Sequence, residues 1–67
     1  MKEKRLICTK HYMDSVVEVY LNEDQTKVHQ VKCLIRNRCK TYIFDIKDYI
    51  DKEMQGYKKI KNIINKD

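Results

Sequence analysis

The chain has 67 residues, among them 15 Lys or Arg and 10 Asp or Glu, which gives a net charge of +5. This length accommodates one domain, and we expect a single small domain over residues 1–67. A membrane span needs about 20 consecutive apolar residues. Since the longest uncharged apolar runs here have three residues, such as residues 42–44, the composition argues against a transmembrane protein.

Four short segments in the first 44 residues are rich in β-branched and aromatic side chains, as strands are. They cover residues 6–9, 16–21, 28–35 and 39–44. Apolar and polar side chains partly alternate along them, which is typical of a sheet with one buried face. The connections are short enough for hairpins. The sequence therefore predicts a small antiparallel four-stranded β-meander over residues 5–44.

The C-terminal third has the apolar spacing of one helix face. Apolar side chains recur at intervals of mostly three or four: Ile46, Tyr49, Ile50, Met54, Tyr57, Ile60 and Ile64. Asp45 is a suitable N-cap residue. Gly56 costs about 1 kcal/mol in a helix interior, so the helix is expected to bend there if it bends anywhere. The pattern predicts one C-terminal α-helix over residues 45–64, packed on the sheet in an α+β fold.

A second segmentation of the first half gives a helix-turn-helix. Residues 28–35 also fit a helical stripe, and residues 17–21 fit a short helix ahead of a turn at Asn22. Residues 36–44 then form a wing, and the chain resembles winged-helix excisionases and small phage regulators. The alternative fold is therefore a winged helix-turn-helix. The run of β-branched side chains in residues 16–20 disfavours a helix, which makes the sheet the preferred interpretation.

The sequence shows no glycine-rich phosphate loop, no Ser-His-Asp order in a context that indicates a catalytic triad, and no paired carboxylate motif. We therefore expect a protein that is not an enzyme. One set of side chains has metal-ligand character: Cys8, His11, Cys33 and Cys39. Tetrahedral zinc takes four such ligands, so a structural zinc is an alternative. The preferred interpretation is that no cofactor is bound and that the three cysteines are reduced thiols packed in the sheet.

Most of the positive charge belongs to the predicted sheet, since residues 1–44 carry nine basic and five acidic side chains. The candidate nucleic-acid-binding residues lie at a predicted hairpin tip and near the helix end: Arg36, Arg38, Lys40, Tyr42, Lys58, Lys59 and Lys61. Basic side chains bind phosphates, and a nearby aromatic ring stacks on unpaired bases. If strand geometry continues through the tip, Arg36 and Arg38 point the same way and form a phosphate clamp.

We therefore expect a small nucleic-acid-binding accessory or regulatory protein that binds DNA or RNA. A composition rich in Lys, Ile, Asn and Tyr is associated with phages and mobile elements. The N-terminal residues lack the apolar core of about 7–15 residues that a secretory signal needs, which favours the cytoplasm.

Arginine also binds carboxylates, so the alternative is a protein-binding module or inhibitor that acts on a larger acidic partner protein. A domain this small has a core that is only marginally stable by itself, so a homodimer is a further possibility.

Overall fold

The computed structural model describes residues 4–36 and 38–65. Its elements in chain order are β1 (Arg5–His11), β2 (Ser15–Leu21), β3 (Lys27–Leu34), β4 (Cys39–Asp45), α1 (Ile46–Asp51) and α2 (Tyr57–Ile64). The four strands form one antiparallel sheet in the order β1-β2-β3-β4. The predicted α+β class with a four-stranded antiparallel sheet is confirmed. The alternative prediction of a winged helix-turn-helix fold is wrong, because the segments that this fold requires as helices are the strands β2 and β3.

The turn between β2 and β3 is fixed by the side chain of Asn22. Its Oδ1 atom accepts hydrogen bonds from the backbone N–H groups of Thr26 (2.9 Å) and Lys27 (3.0 Å). Gln25 has a positive φ of 61°, which reverses the chain between the two strands. Asparagine is favoured in turns because its short side chain replaces a backbone hydrogen bond in this way. The turn therefore sets the register in which β2 and β3 pair.

The predicted single helix is two short helices, and this part of the prediction is wrong. Between α1 and α2 the backbone enters the left-handed region twice, at Glu53 (φ 51°) and Gly56 (φ 79°). Glycine adopts such values without steric cost. Glu53 follows the C-cap residue of α1, Lys52, and Gly56 is the N-cap residue of α2, so the two left-handed residues lie at the two ends of the break. The apolar spacing of residues 46–64 continues across the break, so both helices still turn an apolar side to the sheet.

The core lies between the two helices and one face of the sheet. Its five most deeply buried large side chains are Val19, Leu21, Val28, Tyr49 and Ile60. In β1 the register shifts between Leu6 and Cys8, and Ile7 is buried at this bulge. We call the sheet face that packs on the helices the helix side and the other face the helix-free face. Within the described ranges, neither helix combines the length and the apolar character needed to cross a bilayer.

Candidate nucleic-acid interface

The connection between β3 and β4 is a tight turn. The Leu34 N–H donates a hydrogen bond to the Arg38 carbonyl (2.8 Å). The Ile35 N–H donates to the carbonyl of Asp14 (3.2 Å), in the connection between β1 and β2. The chain therefore leaves strand geometry directly after Leu34. The start of the turn is hydrogen-bonded to the connection between β1 and β2.

This turn bears on the predicted phosphate clamp. Arg36 lies in the turn and is exposed, and Arg38 lies just before the start of β4. Asn37, between the two arginines, lies outside the described residues. Because β3 ends at Leu34 and β4 begins at Cys39, neither arginine lies in a strand, and the strand alternation that predicted the clamp does not apply to them.

Three basic side chains instead gather around Tyr42 on the helix side of β3 and β4. A shallow cavity of about 300 Å³ is lined by Lys32, Leu34, Arg38, Lys40 and Tyr42. Three of these residues were predicted, and the structure brings them together; Lys32 and Leu34 were missed. We call the surface formed by Lys32, Arg38, Lys40 and Tyr42 the basic groove. The helices do not reach this end of the sheet, and Tyr42 keeps 44% of its surface exposed.

The electrostatics of the basic groove are unbalanced. Lys32 and Lys40 are direct partners in the β3–β4 register, so their ammonium groups share one face of the sheet. Like charges directly opposite each other on neighbouring strands are destabilising. Among the described residues, neither lysine has a carboxylate within salt-bridge distance; the ion pair between β3 and β4 joins Lys27 to Asp45, at the other end of the two strands. An anion bound between Lys32 and Lys40 would relieve this repulsion.

The lysines of α2 lie on another part of the surface. Lys58 and Lys59 line a cavity together with Lys10 of β1, and Lys59 also lies beside Arg5. Lys61 is exposed on the same helix. Since β1 and β4 are opposite edges of the sheet, the structure does not join these lysines to the basic groove. Lys58 and Lys59 form a second basic surface with Lys10 and Arg5 of β1.

The cysteines do not assemble the alternative zinc set. Cys33 and Cys39 form a disulfide across β3 and β4, so the expectation of reduced thiols is wrong for these two residues. Cys8 is free and half-buried on β1, which β2 separates from the two strands that carry the disulfide. His11 is exposed on β1. Zinc binds cysteine as thiolate, which disulfide sulfurs cannot supply. In the part of the chain that the structure describes, no three acidic, Cys or His side chains are placed to hold a metal ion.

The helix-free face has a different chemistry. One row across the four strands consists of Leu6, Tyr20, His29 and Ile43. Leu6 and Ile43 keep 49% and 60% of their surfaces exposed. Partial burial, with a smaller contribution from the charge of Lys4, lowers the pKa of His29 below its usual value. This row is therefore largely uncharged near neutral pH, in contrast to the basic groove.

Comparisons of the chain with protein-family models, with curated proteins and with solved structures found no match. No relative therefore suggests a function for it, and the basic groove is the feature with the most specific chemistry.

Proposed function

We propose that the protein is a small non-enzymatic factor that binds single-stranded nucleic acid through the basic groove. The observation that carries this proposal is the cross-strand pair of Lys32 and Lys40, neither of which forms a salt bridge with a carboxylate in residues 4–36 and 38–65. A phosphate placed between the two ammonium groups offsets their repulsion, and Arg38 adds a planar fork that suits phosphate oxygens. The groove thus combines the charge and the geometry that a nucleic-acid backbone requires.

Tyr42 favours a single strand over a duplex. Its ring lies beside the three cations and is nearly half exposed, so an unpaired base can stack on it while the flanking phosphates contact the lysines. Bases inside a duplex are already stacked on each other and do not offer a free face. A sheet surface with an exposed aromatic ring is well suited to splayed, unpaired nucleotides.

The biological role that we propose is that of an accessory or regulatory factor, as in the small basic proteins of phages and mobile elements. The disulfide between Cys33 and Cys39 weakens the expectation of a cytoplasmic location, because stable disulfides are rare in reducing compartments. Binding through the basic groove does not depend on the compartment.

The first test removes two cations of the groove. The double variant Arg38→Ala with Lys40→Ala is compared with Lys47→Ala with Lys52→Ala, which removes the same charge from exposed positions at α1. Affinity for a labelled single strand is measured by fluorescence anisotropy over a range of salt concentrations. We expect the groove variant to flatten the log–log salt slope by about 1.4, since each phosphate contact with a single strand contributes about 0.7. The control variant is expected to keep the slope of the parent.

The second test separates stacking from charge. Tyr42→Leu is expected to weaken single-strand binding by about 1–3 kcal/mol, the usual contribution of one stacked base, with an unchanged salt slope. Tyr42→Phe keeps the ring and is expected to bind as the parent does. A parent protein without measurable affinity for single-stranded DNA or RNA at low salt would show the proposal to be wrong.

The alternative function, a protein-binding module or inhibitor, is favoured by the helix-free face, where Leu6 and Ile43 are exposed in one row. Apolar surface of this kind supports protein contacts that persist at high salt, unlike contacts with phosphates. A protein partner that the parent and the Arg38→Ala with Lys40→Ala variant retain equally at high salt would favour this alternative over the basic groove.

A further inference from the structure

The outer side of β4 carries backbone groups that face away from the sheet. At its two ends the hydrogen bonds from Leu34 N–H to the Arg38 carbonyl (2.8 Å) and from Ile46 N–H to the Thr26 carbonyl (3.0 Å) define which pairs are bonded. Bonded and non-bonded pairs alternate along an antiparallel ladder. The backbone N–H and C=O groups that face outward therefore belong to Cys39, Thr41, Ile43 and Asp45.

The two edges of the sheet differ in how far they are protected. The β1 edge is interrupted by the bulge at Ile7 and carries the cations of Arg5 and Lys10. Bulges and charged side chains are the usual means by which proteins block an edge strand. The β4 edge pairs with β3 in an unbroken register, and its central residues 41–43 are uncharged. A regular edge with an uncharged centre of this kind is a template for another strand.

We infer that β4 pairs antiparallel with β4 of a second copy of this chain, around a two-fold axis at Tyr42. Tyr42 is the midpoint of β4, so this axis pairs the whole strand. It sets Thr41 opposite Ile43 of the second copy and Cys39 opposite Asp45 of the second copy. All of these residues have outward backbone groups, as the bonded pairs of an antiparallel ladder require. A two-fold axis midway between two neighbouring residues would instead pair each residue whose backbone N–H and C=O groups face outward with a residue whose groups face β3.

The side chains of β4 fit this register. Lys40 and Asp45 lie towards opposite ends of the strand, so antiparallel pairing places one cation and one anion at each end of the interface. Lys40 faces Phe44 of the second copy and not another cation. Tyr42 faces Tyr42 of the second copy, and aromatic pairs directly across an antiparallel ladder are favourable. Ile43, which is 60% exposed in the monomer, packs against Thr41 of the second copy.

This inference goes beyond the proposed nucleic-acid binding and does not rest on it, since the backbone of β4 supplies the contacts. The pairing would join the two sheets into one and place the two basic grooves on the same side. Its test measures association without nucleic acid, so the two proposals can fail separately.

The first experiment introduces proline at each edge in turn. Thr41→Pro removes an N–H group that faces outward from β4 and leaves the bonds to β3 intact, as proline on an edge strand does. Thr9→Pro is the matched control, because the Tyr12 N–H bond to the Ser15 carbonyl gives Thr9 the same outward position on β1. Sedimentation velocity over a range of concentrations reports the mass. We expect the parent and Thr9→Pro to approach twice 8.2 kDa, and Thr41→Pro to stay at 8.2 kDa.

The second experiment tests the register. Tyr42→Lys and Tyr42→Glu place like charges opposite each other at the axis, so each variant alone is expected to remain monomeric while circular dichroism shows the fold of the parent. An equimolar mixture is expected to form a dimer, because the lysine of one chain then faces the glutamate of the other. A parent that stays monomeric at its highest soluble concentration, or a mixture that does not associate, would overturn the inference.

Discussion

The hydroxyl group of Tyr49 donates a hydrogen bond to the main-chain carbonyl of Gln55, 2.7 Å away. Tyr49 is fully buried, and its ring centroid lies 5.5 Å from that of Phe44. The side-chain oxygen of Gln55 in turn accepts a bond from the hydroxyl of Tyr12 (3.3 Å). One buried side chain of α1 thus holds the segment between the helices on the core, and a bond at the surface connects the same segment to the end of β1.

The first prediction compares these two bonds. Tyr49→Phe leaves the Gln55 carbonyl without its donor and is expected to lower the free energy of unfolding by about 1–3 kcal/mol. Tyr12→Phe removes an exposed bond to the same residue and is expected to cost much less, because water replaces the lost partner. Urea denaturation of the two variants measures both effects. Equal losses would contradict the assignment of the Tyr49 bond to the core.

The second prediction concerns alkaline pH. Burial, with a smaller contribution from Cys8, raises the pKa of Tyr49 from 10.0 to about 12. A group with a raised pKa in the folded state contributes its full stability below its unfolded pKa and loses it as the pH rises through the folded value. The free energy of unfolding is therefore expected to fall between pH 10 and about 12.

The matched variant for this titration is Tyr49→Phe, which should reduce the slope of stability against pH in that range. Some slope remains, because the hydrogen bond from Tyr20 to Glu18 also raises the pKa of Tyr20. Denaturation curves collected from pH 8 upward check the expectation. Parallel losses in the parent and in Tyr49→Phe would assign the alkaline transition to other groups.

The third prediction concerns the break between the helices. Gly56 has φ 79°, and a Cβ atom added there would lie 2.7 Å from the sulfur of Cys8. Gly56→Ala is therefore expected to lower stability by more than the roughly 1–2 kcal/mol that a left-handed conformation costs an ordinary residue. In a Cys8→Ala background the steric part disappears, and the substitution should cost less. A double-mutant cycle measures this coupling, and strictly additive effects would exclude the contact.

The fourth prediction concerns the disulfide. Replacing Cys33 and Cys39 together by serine is expected to lower the free energy of unfolding by about 2 kcal/mol, the value for closing so short a loop. A thiol reagent applied to the unfolded protein without reductant should detect one thiol, that of Cys8, and all three after reduction. Three reactive thiols before reduction would show that the disulfide is absent.

The sequence predicted the strands well, because their signal is local. Side chains that alternate between two faces, with β-branched residues and short polar connections, placed each strand within a few residues of its observed bounds. The break between α1 and α2 was harder to predict because the apolar spacing runs through it. The left-handed backbone at Glu53 follows the end of α1, and α2 begins directly after the left-handed Gly56, which lies close to Cys8. Such a tertiary contact is not visible in the helical pattern.

The candidate site was predicted in part. Arg38, Lys40 and Tyr42 were recognised by composition, whereas Lys32 was missed because it precedes the tip by several residues. The signal was nevertheless present, since Lys32 and Lys40 are equally distant from Arg36 at the centre of the hairpin. The same symmetry sets Cys33 opposite Cys39. Cross-strand partners follow from the position of the turn, so residues that are apart in the chain become one surface.

The order of the strands has a consequence for how the molecule folds. Every strand pairs with the strand next to it in the chain, so the sheet can grow one hairpin at a time without closing a long loop. The contact between the end of β1 and the segment before α2 is different, because Tyr12 and Gln55 are 43 positions apart. Closing a loop of this length costs more entropy than forming a hairpin, so we expect this contact to form late and to open first.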